Sequence, residues 1–218
     1  MKVSVAKLKS LLISRVRSAG LNWGELDRSA SQIILFGSYA LSANTRKSDL
    51  DVLCIGTGKR YKSSKLHVIW IPEHRTRSKQ WLGSELATHI ATYGIWIKGK
   101  NDWAFQTKPS RDTIEKKRKN ILSRLDAVER HWDDLLPKFQ AGQMTRLRRD
   151  LQRYQMMQRG QAPVPKTLMD AEWKQHKGAG GWKLLLGNRT GVTRRIKKFL
   201  LAKNFPAPQE ALMQNVKD

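Results

Sequence analysis

The sequence predicts an α+β fold: a small mixed β-sheet with flanking helices, followed by a helical bundle. Three observations carry this. Short, apolar, β-prone runs at residues 32–36, 51–55 and 66–71 all fall in the first half of the chain. Beyond Pro109, Ile114, Ile121, Leu125, Val128, Trp132 and Leu135 recur at three, four or seven residues, the spacing of one helix face. The length of 218 residues holds a small sheet domain plus a helical appendage, and the eight Trp supply enough apolar surface for a core in each. The expected organisation is a sheet domain over residues 1–106, a basic helical domain over 107–205 and a flexible tail over 206–218.

Each element has a local signal. Val5, Leu8, Leu12 and Val16, with Leu11 beside them, stand at helical spacing until Gly20 stops the run. Gln32-Ile33-Ile34-Leu35-Phe36 reads as a buried strand that ends at Gly37-Ser38, and residues 39–45 as a short helix or tight loop. A second strand over 51–55 ends at Gly56 and Gly58. The polar stretch 59–65 then leads into a third strand, 66–71, stopped by Pro72. So short a link predicts a hairpin, not a parallel crossover. Residues 79–92 have helical character and 93–97 form a fourth strand.

In the second half, Ser110 and Asp112 occupy helix-start positions and Pro137 marks that helix's end. A second seam, Met144, Leu147, Leu151 and Tyr154, is stopped by Gly160 and the prolines 163 and 165. Further helical pieces are expected over 166–176 and 191–203, separated by the flexible Gly178-Ala179-Gly180-Gly181.

Charge narrows the partners. Lys and Arg number 42 against 18 acidic residues, and the resulting +24 repels itself unless a polyanion compensates. Nucleic acid fits, because the excess appears in both halves; a generally basic protein is the bland alternative. No apolar run approaches the roughly 18 residues that span a bilayer, and the N-terminal stretch lacks the pattern of a secretory signal. The single cysteine, Cys54, forms no internal disulfide and lies in an apolar run, so a cytoplasmic protein with a buried thiol is expected. The five His lack zinc-ligand spacing.

Three basic clusters lie beside the apolar seams: Lys116, Lys117, Arg118 and Lys119; Arg146, Arg148, Arg149 and Arg153; and Arg194, Arg195, Lys197 and Lys198. They read as a phosphate-tracking surface or as solvated helix faces. Trp70, Trp96, Trp132 and Trp173 fit apolar patterns, whereas Trp81, Trp103 and Trp182 sit near basic or Gly-rich segments and are candidates for stacking on bases.

The stretch from Gly37 to Asp51 carries the chemistry. Asp49 and Asp51 stand two apart at the start of a strand, which points both carboxylates to one face, where they repel. A divalent cation, Mg²⁺ or Mn²⁺, removes that conflict, since carboxylate oxygens are the ligands it prefers. Ahead of them, the Gly37-Ser38 turn after a buried strand offers backbone N–H groups and a hydroxyl to phosphate oxygens.

This combination resembles the DNA polymerase β-like nucleotidyltransferase superfamily, whose signature is a strand ending in Gly-Ser and, about ten residues on, Asp-x-Asp opening the next strand. Gly37, Ser38, Asp49 and Asp51 match, as does the form Ser48-Asp49-Leu50-Asp51. The resemblance covers roughly residues 30–100. It implies two-metal transfer of a nucleoside monophosphate from an NTP to an acceptor hydroxyl. Asp49 and Asp51 would hold the metals, and Ser38 with the Gly37 backbone the terminal phosphates. Arg46 and Lys47, with Ser48, would flank the triphosphate, or be a solvated pair.

The chain departs from the family in one respect. Active members usually carry a third carboxylate on a neighbouring strand, but Lys65-Leu66-His67-Val68-Ile69-Trp70-Ile71 contains no acid. His67 occupies its slot, as a base or as a hydrogen-bonded structural residue; Glu73, of the same parity, and Glu85 are the other candidates. The favoured acceptor is RNA, a transfer RNA above all, in a toxin or an RNA-modifying enzyme. The alternatives are transfer to a protein partner of a toxin–antitoxin pair, and a catalytically degenerate protein that binds nucleic acid. An aminoglycoside acceptor is disfavoured, since a polycation is repelled by +24.

Overall fold

A computed structural model of the chain describes residues 4–177, 194, 196–198 and 200–201. The Gly178–Gly181 link, Arg195, Trp182, the Trp173 side chain, most of the helix expected over 191–203 and the tail over 206–218 lie outside the described residues.

The protein is α+β. The five strands among the described residues are β1 (Ala30–Phe36), β2 (Leu50–Gly56), β3 (Tyr61–Lys62), β4 (Leu66–Ile71) and β5 (Ile95–Lys98). They form one mixed sheet in the order β3-β4-β2-β1-β5. β1 runs antiparallel to both β2 and β5, β2 pairs in parallel with β4, and β3 is antiparallel to β4. The expected hairpin between the second and third predicted strands is therefore wrong. The link over 57–65 reaches about 30 Å when extended, more than the length of β2. It runs back along the edge as β3 and lets β4 enter in parallel; the hairpin is between β3 and β4, closed by Ser63 N–H donating to the Leu66 carbonyl at 2.8 Å.

Helices cover both faces, which is why the central strands read as unbroken apolar runs. On one face Ile33, Leu35, Val52, Cys54, Leu66 and Val68 pack with Leu8, Leu12 and Val16 of α1 (Val5–Ser18) and Leu26 of α2 (Trp23–Ser29). The pattern missed α2, although its start is written as a capping pair: the Asn22 side chain accepts from the Glu25 N–H at 3.2 Å. On the other face Ile34, Phe36, Leu53 and Ile55 pack with Trp81 of α3 (Lys79–Leu82), with Ala87 and Ile90 of α4 (Glu85–Tyr93), and with Trp103.

Trp81 and Trp103 are therefore core, not base-stacking residues. Their ring centroids lie 5.4 Å apart, and the Trp103 indole N–H donates to Gln32 Oε1 at 3.1 Å.

The described residues divide into two compact units, one reaching Thr113 and taking in Gly160–Ala171, the other built from Ile114–Arg159 and residues from Glu172 onward. In the second, Ile121, Leu125 and Val128 of α5 (Arg111–His131), with Trp132 just past its end, pack with Met144, Leu147, Leu151 and Tyr154 of α6 (Pro137–Gln158). Pro137 opens α6 at its first turn, where a missing N–H costs nothing, and α5 has already ended at His131.

Candidate active site

The first unit assembles its polar cluster at the mouth of β1 and β2. Phe36, the last residue of β1, pairs with Asp51, so the turn after β1 lies beside that carboxylate. Gly37 adopts φ +73°, and a Cβ there would stand 2.5 Å from Asp51 Oδ2. Only glycine fits that approach. Ser38 follows, half-buried, its carbonyl accepting from the Ala43 N–H at 2.8 Å to fold the turn back.

The loop then delivers the acids. The Thr45 N–H donates to the Ser48 hydroxyl at 2.9 Å and the Ser48 N–H to the Thr45 carbonyl at 3.0 Å, a tight turn immediately before Asp49. Ser48 thus spends its hydroxyl on the loop. Arg46 and Lys47 are exposed on it, and the Lys65 ammonium donates to the Arg46 carbonyl at 2.9 Å.

Asp51 points to the α4 side of the sheet, with Leu53 and Ile55, by strand parity. His67 lies directly across in the parallel pairing, its Nδ1 3.1 Å from Asp51 Oδ1 and its Nε2 3.0 Å from Arg60 Nη2. Burial raises the Asp51 carboxyl above its ordinary value, and the negative charge of Asp49 raises it further. The hydrogen bond and charge of His67, then the charge of Lys166, pull the other way.

Lys166 opens α7 (Lys166–Lys177) and was missed by sequence reasoning. Its segment is tied to α4 by His89 Nδ1 donating to the Pro163 carbonyl at 2.6 Å and by the Tyr93 hydroxyl donating to the Ala162 carbonyl at 3.4 Å. Nothing in its spacing to the acids marks it; only the return of residues 160–171 to the first unit does.

Glu73 is not brought to this cluster. It is exposed in a 3₁₀ turn past the far end of β4, and the run from His67 to Ile71 alone carries the chain about 13 Å away. Glu85 is half-buried at the start of α4.

The basic clusters, in the second unit, divide by burial and pairing. Lys116, Lys119, Arg146, Arg194 and Lys198 are exposed. Lys117 donates to Asp150 at 3.3 Å, Arg118 grips both oxygens of Glu115 at 2.8 and 2.7 Å, and Lys197 reaches Asp126 at 2.8 Å and Glu129 at 2.5 Å. Arg148, Arg149 and Arg153 are half-buried.

Among the described residues no group of three or more His, Cys, Asp or Glu is placed to hold a metal together. The donor set at Asp49 and Asp51 nevertheless fits a hard cation. Both side chains are carboxylates, they repel one another, and Asp51 lies against the Gly37 turn, whose backbone N–H groups suit phosphate oxygens.

A family model described as nucleotidyltransferase domain matches residues 23–154. No curated protein matches. Six chains of solved structures match. One is described as "Crystal structure of the toxin-antitoxin with AMP-PNP"; it is 19% identical over 48% of this chain and 91% of that one, with a TM-score of 0.25, too low to bear on function.

Proposed function

Because the chain belongs to the nucleotidyltransferase domain family of the polymerase β-like superfamily, we propose that it transfers a nucleoside monophosphate from an NTP to a hydroxyl of RNA, with transfer RNA the favoured acceptor. One observation carries the site: Asp51 Oδ2 faces the Gly37 turn so closely that a Cβ there would stand 2.5 Å from it. A carboxylate and a phosphate-binding turn at that separation are what a nucleotide's triphosphate requires, provided cations neutralise the charge between them.

Asp49 and Asp51 would hold the divalent cations. Bound there, Mg²⁺ or Mn²⁺ supplies charge neutralisation for the triphosphate and lowers the pKa of an acceptor hydroxyl. The Gly37-Ser38 turn seats the terminal phosphates through backbone N–H groups and the Ser38 hydroxyl. Lys166, whose positive charge reaches Asp51, adds a cation at the same mouth, and Arg46 and Lys47 flank it on the loop. The acceptor oxygen bonds to the α-phosphorus while the bond to the β-phosphate oxygen breaks. Pyrophosphate leaves and the hydroxyl proton passes to water. The exposed Lys116, Lys119, Arg146, Arg194 and Lys198 suit contact with RNA phosphates.

The lack of an acid at position 67 favours one rival, a degenerate protein that retains nucleic acid without modifying it. Incubation with each α-labelled NTP, Mg²⁺ and total RNA separates the readings. Label on RNA is expected. Label on a protein instead points to a protein acceptor, and RNA retention without label to the degenerate reading. Asp49→Ala and Asp51→Ala should each lower labelling by at least about a hundredfold; labelling that persists in either variant removes the site from these residues.

A further inference from the structure

Position 67 is where the chain parts from its family, and its surroundings say what the histidine does. A guanidinium has five donors and no acceptor. Arg60 Nη2 lies 3.0 Å from His67 Nε2, so that nitrogen must bring its lone pair to the contact. The ring proton is then on Nδ1, which is 3.1 Å from Asp51 Oδ1 and donates to it. In the neutral ring this pair of contacts selects one tautomer.

Backbone pairing enforces this geometry. β2 and β4 put Asp51 opposite His67, and β3 pairs Lys62 with His67, which brings Arg60, just ahead of β3, to the ring's outer edge. The His67 and Asp51 side chains are only 13% and 23% exposed, so water competes poorly for the bond between them, whereas the Arg60 contact lies at the surface.

The two oxygens of Asp51 consequently have different duties. Oδ1 accepts from His67, whereas Oδ2 faces the Gly37 turn. We propose that Arg60 is a positioning residue: it holds the His67 ring by Nε2, and His67 in turn pins Oδ1 of Asp51 and presents Oδ2 to the cation and triphosphate. With Nδ1 donating to Asp51 and the Nε2 lone pair engaged by Arg60, neither ring nitrogen is open to take the acceptor's proton, so His67 is not the base of the reaction. The clause about the cation rests on the function proposed above; the hold on the ring does not.

The test uses the full chain with ¹⁵N-labelled histidine and no added cation. Long-range ¹H–¹⁵N correlation should show His67 with a protonated Nδ1 and a bare Nε2, and Arg60→Ala should leave the Nδ1 proton donated to Asp51 while shifting the Nε2 resonance and broadening the Nδ1–H signal as the ring loosens. Mn²⁺ titration followed by the loss of its free EPR signal should show affinity weakened about ten- to a hundredfold in Arg60→Ala and in His67→Ala. His67→Asn, whose amide N–H stands near the place of Nδ1, should recover most of it.

A bare Nδ1 in the unaltered protein overturns the proposal. So does Arg60→Ala with the ring resonances and Mn²⁺ affinity unchanged. If the unaltered protein takes up no Mn²⁺, the cation role of Asp51 fails, while the nitrogen spectra still decide whether Arg60 sets the ring.

Discussion

At the scale of single residues, the site is held by what glycine leaves out. An alanine at 37 would carry a left-handed backbone costing about 1–2 kcal/mol, and its Cβ would meet Asp51 Oδ2 at 2.5 Å. One of the two must shift, and either shift separates the carboxylate from the turn. Gly37→Ala is expected to stay folded, with a lowered urea midpoint, and to lose at least about tenfold in NTP-dependent labelling; a fully active variant would remove the turn from the mechanism. Cys54 presents the opposite case, a reactive group silenced by its surroundings. It is fully buried, and burial alone pushes its thiol from 9.0 up to about 12. Iodoacetamide at pH 8 should leave it unmodified until denaturant is added. Because the folded value lies above the unfolded one, the thiol's contribution is intact below pH 9.0 and declines as pH rises toward about 12. The slope is about 1.4 kcal/mol per pH unit. Cys54→Ala, compared with the unaltered protein from pH 8 to 11 by urea unfolding, should lose that slope.

At the scale of elements, the local code is mostly capping and period. Ser84 is typical: its side chain accepts the Ala87 N–H at 3.1 Å and its carbonyl takes the Thr88 hydroxyl at 2.9 Å, which sets the start of α4. Ser84→Ala should cost about 1 kcal/mol, read as a lower urea midpoint with unchanged m-value; no change would mean that water replaces the cap. What the sequence disclosed at this scale follows the strength of the periodic signal. Ile33 to Phe36 and the α5 seam from Ile114 to Val128 are long, apolar and unambiguous, and both are where their spacing put them, although the helix ends at His131, short of the Trp132 and Leu135 that the spacing included. α2 has seven residues and one buried side chain, so its period never emerges, although Asn22 and Glu25 advertised its start. β3 has two residues, too few to alternate, and with it went the parallel pairing of β2 and β4. The acids and the Gly-Ser turn were legible because they are close in sequence. Arg60 was not, because the partner that gives it meaning is reached through that unseen strand. Lys166 was not, because only the return of residues 160–171 to the first unit brings it near Asp51. Trp81 and Trp103 misled because their basic neighbours in sequence are not their neighbours in space.

At the scale of the whole molecule, +24 is a liability that a polyanion relieves, but the formal count overstates what is available to one. Lys117, Arg118 and Lys197 already neutralise carboxylates of their own unit, whereas Lys116, Lys119 and Arg146 face solvent. Counterion release distinguishes these groups, because only a side chain that replaces a condensed cation on the nucleic acid contributes to the salt dependence. Retention of a single-stranded RNA should therefore weaken steeply with salt, log K falling linearly with log salt by about 0.7 per phosphate contacted. Lys116→Gln together with Lys119→Gln should make that slope shallower by about one to two units and leave the urea midpoint unchanged. Lys117→Gln should do the reverse. It leaves Asp150 short of the donor that now stands at 3.3 Å, so stability falls while the salt slope holds. Filter binding between 50 and 300 mM KCl, with urea unfolding on the same samples, reads both. A slope that responds to Lys117 and ignores Lys116 and Lys119 would place the nucleic acid on another surface.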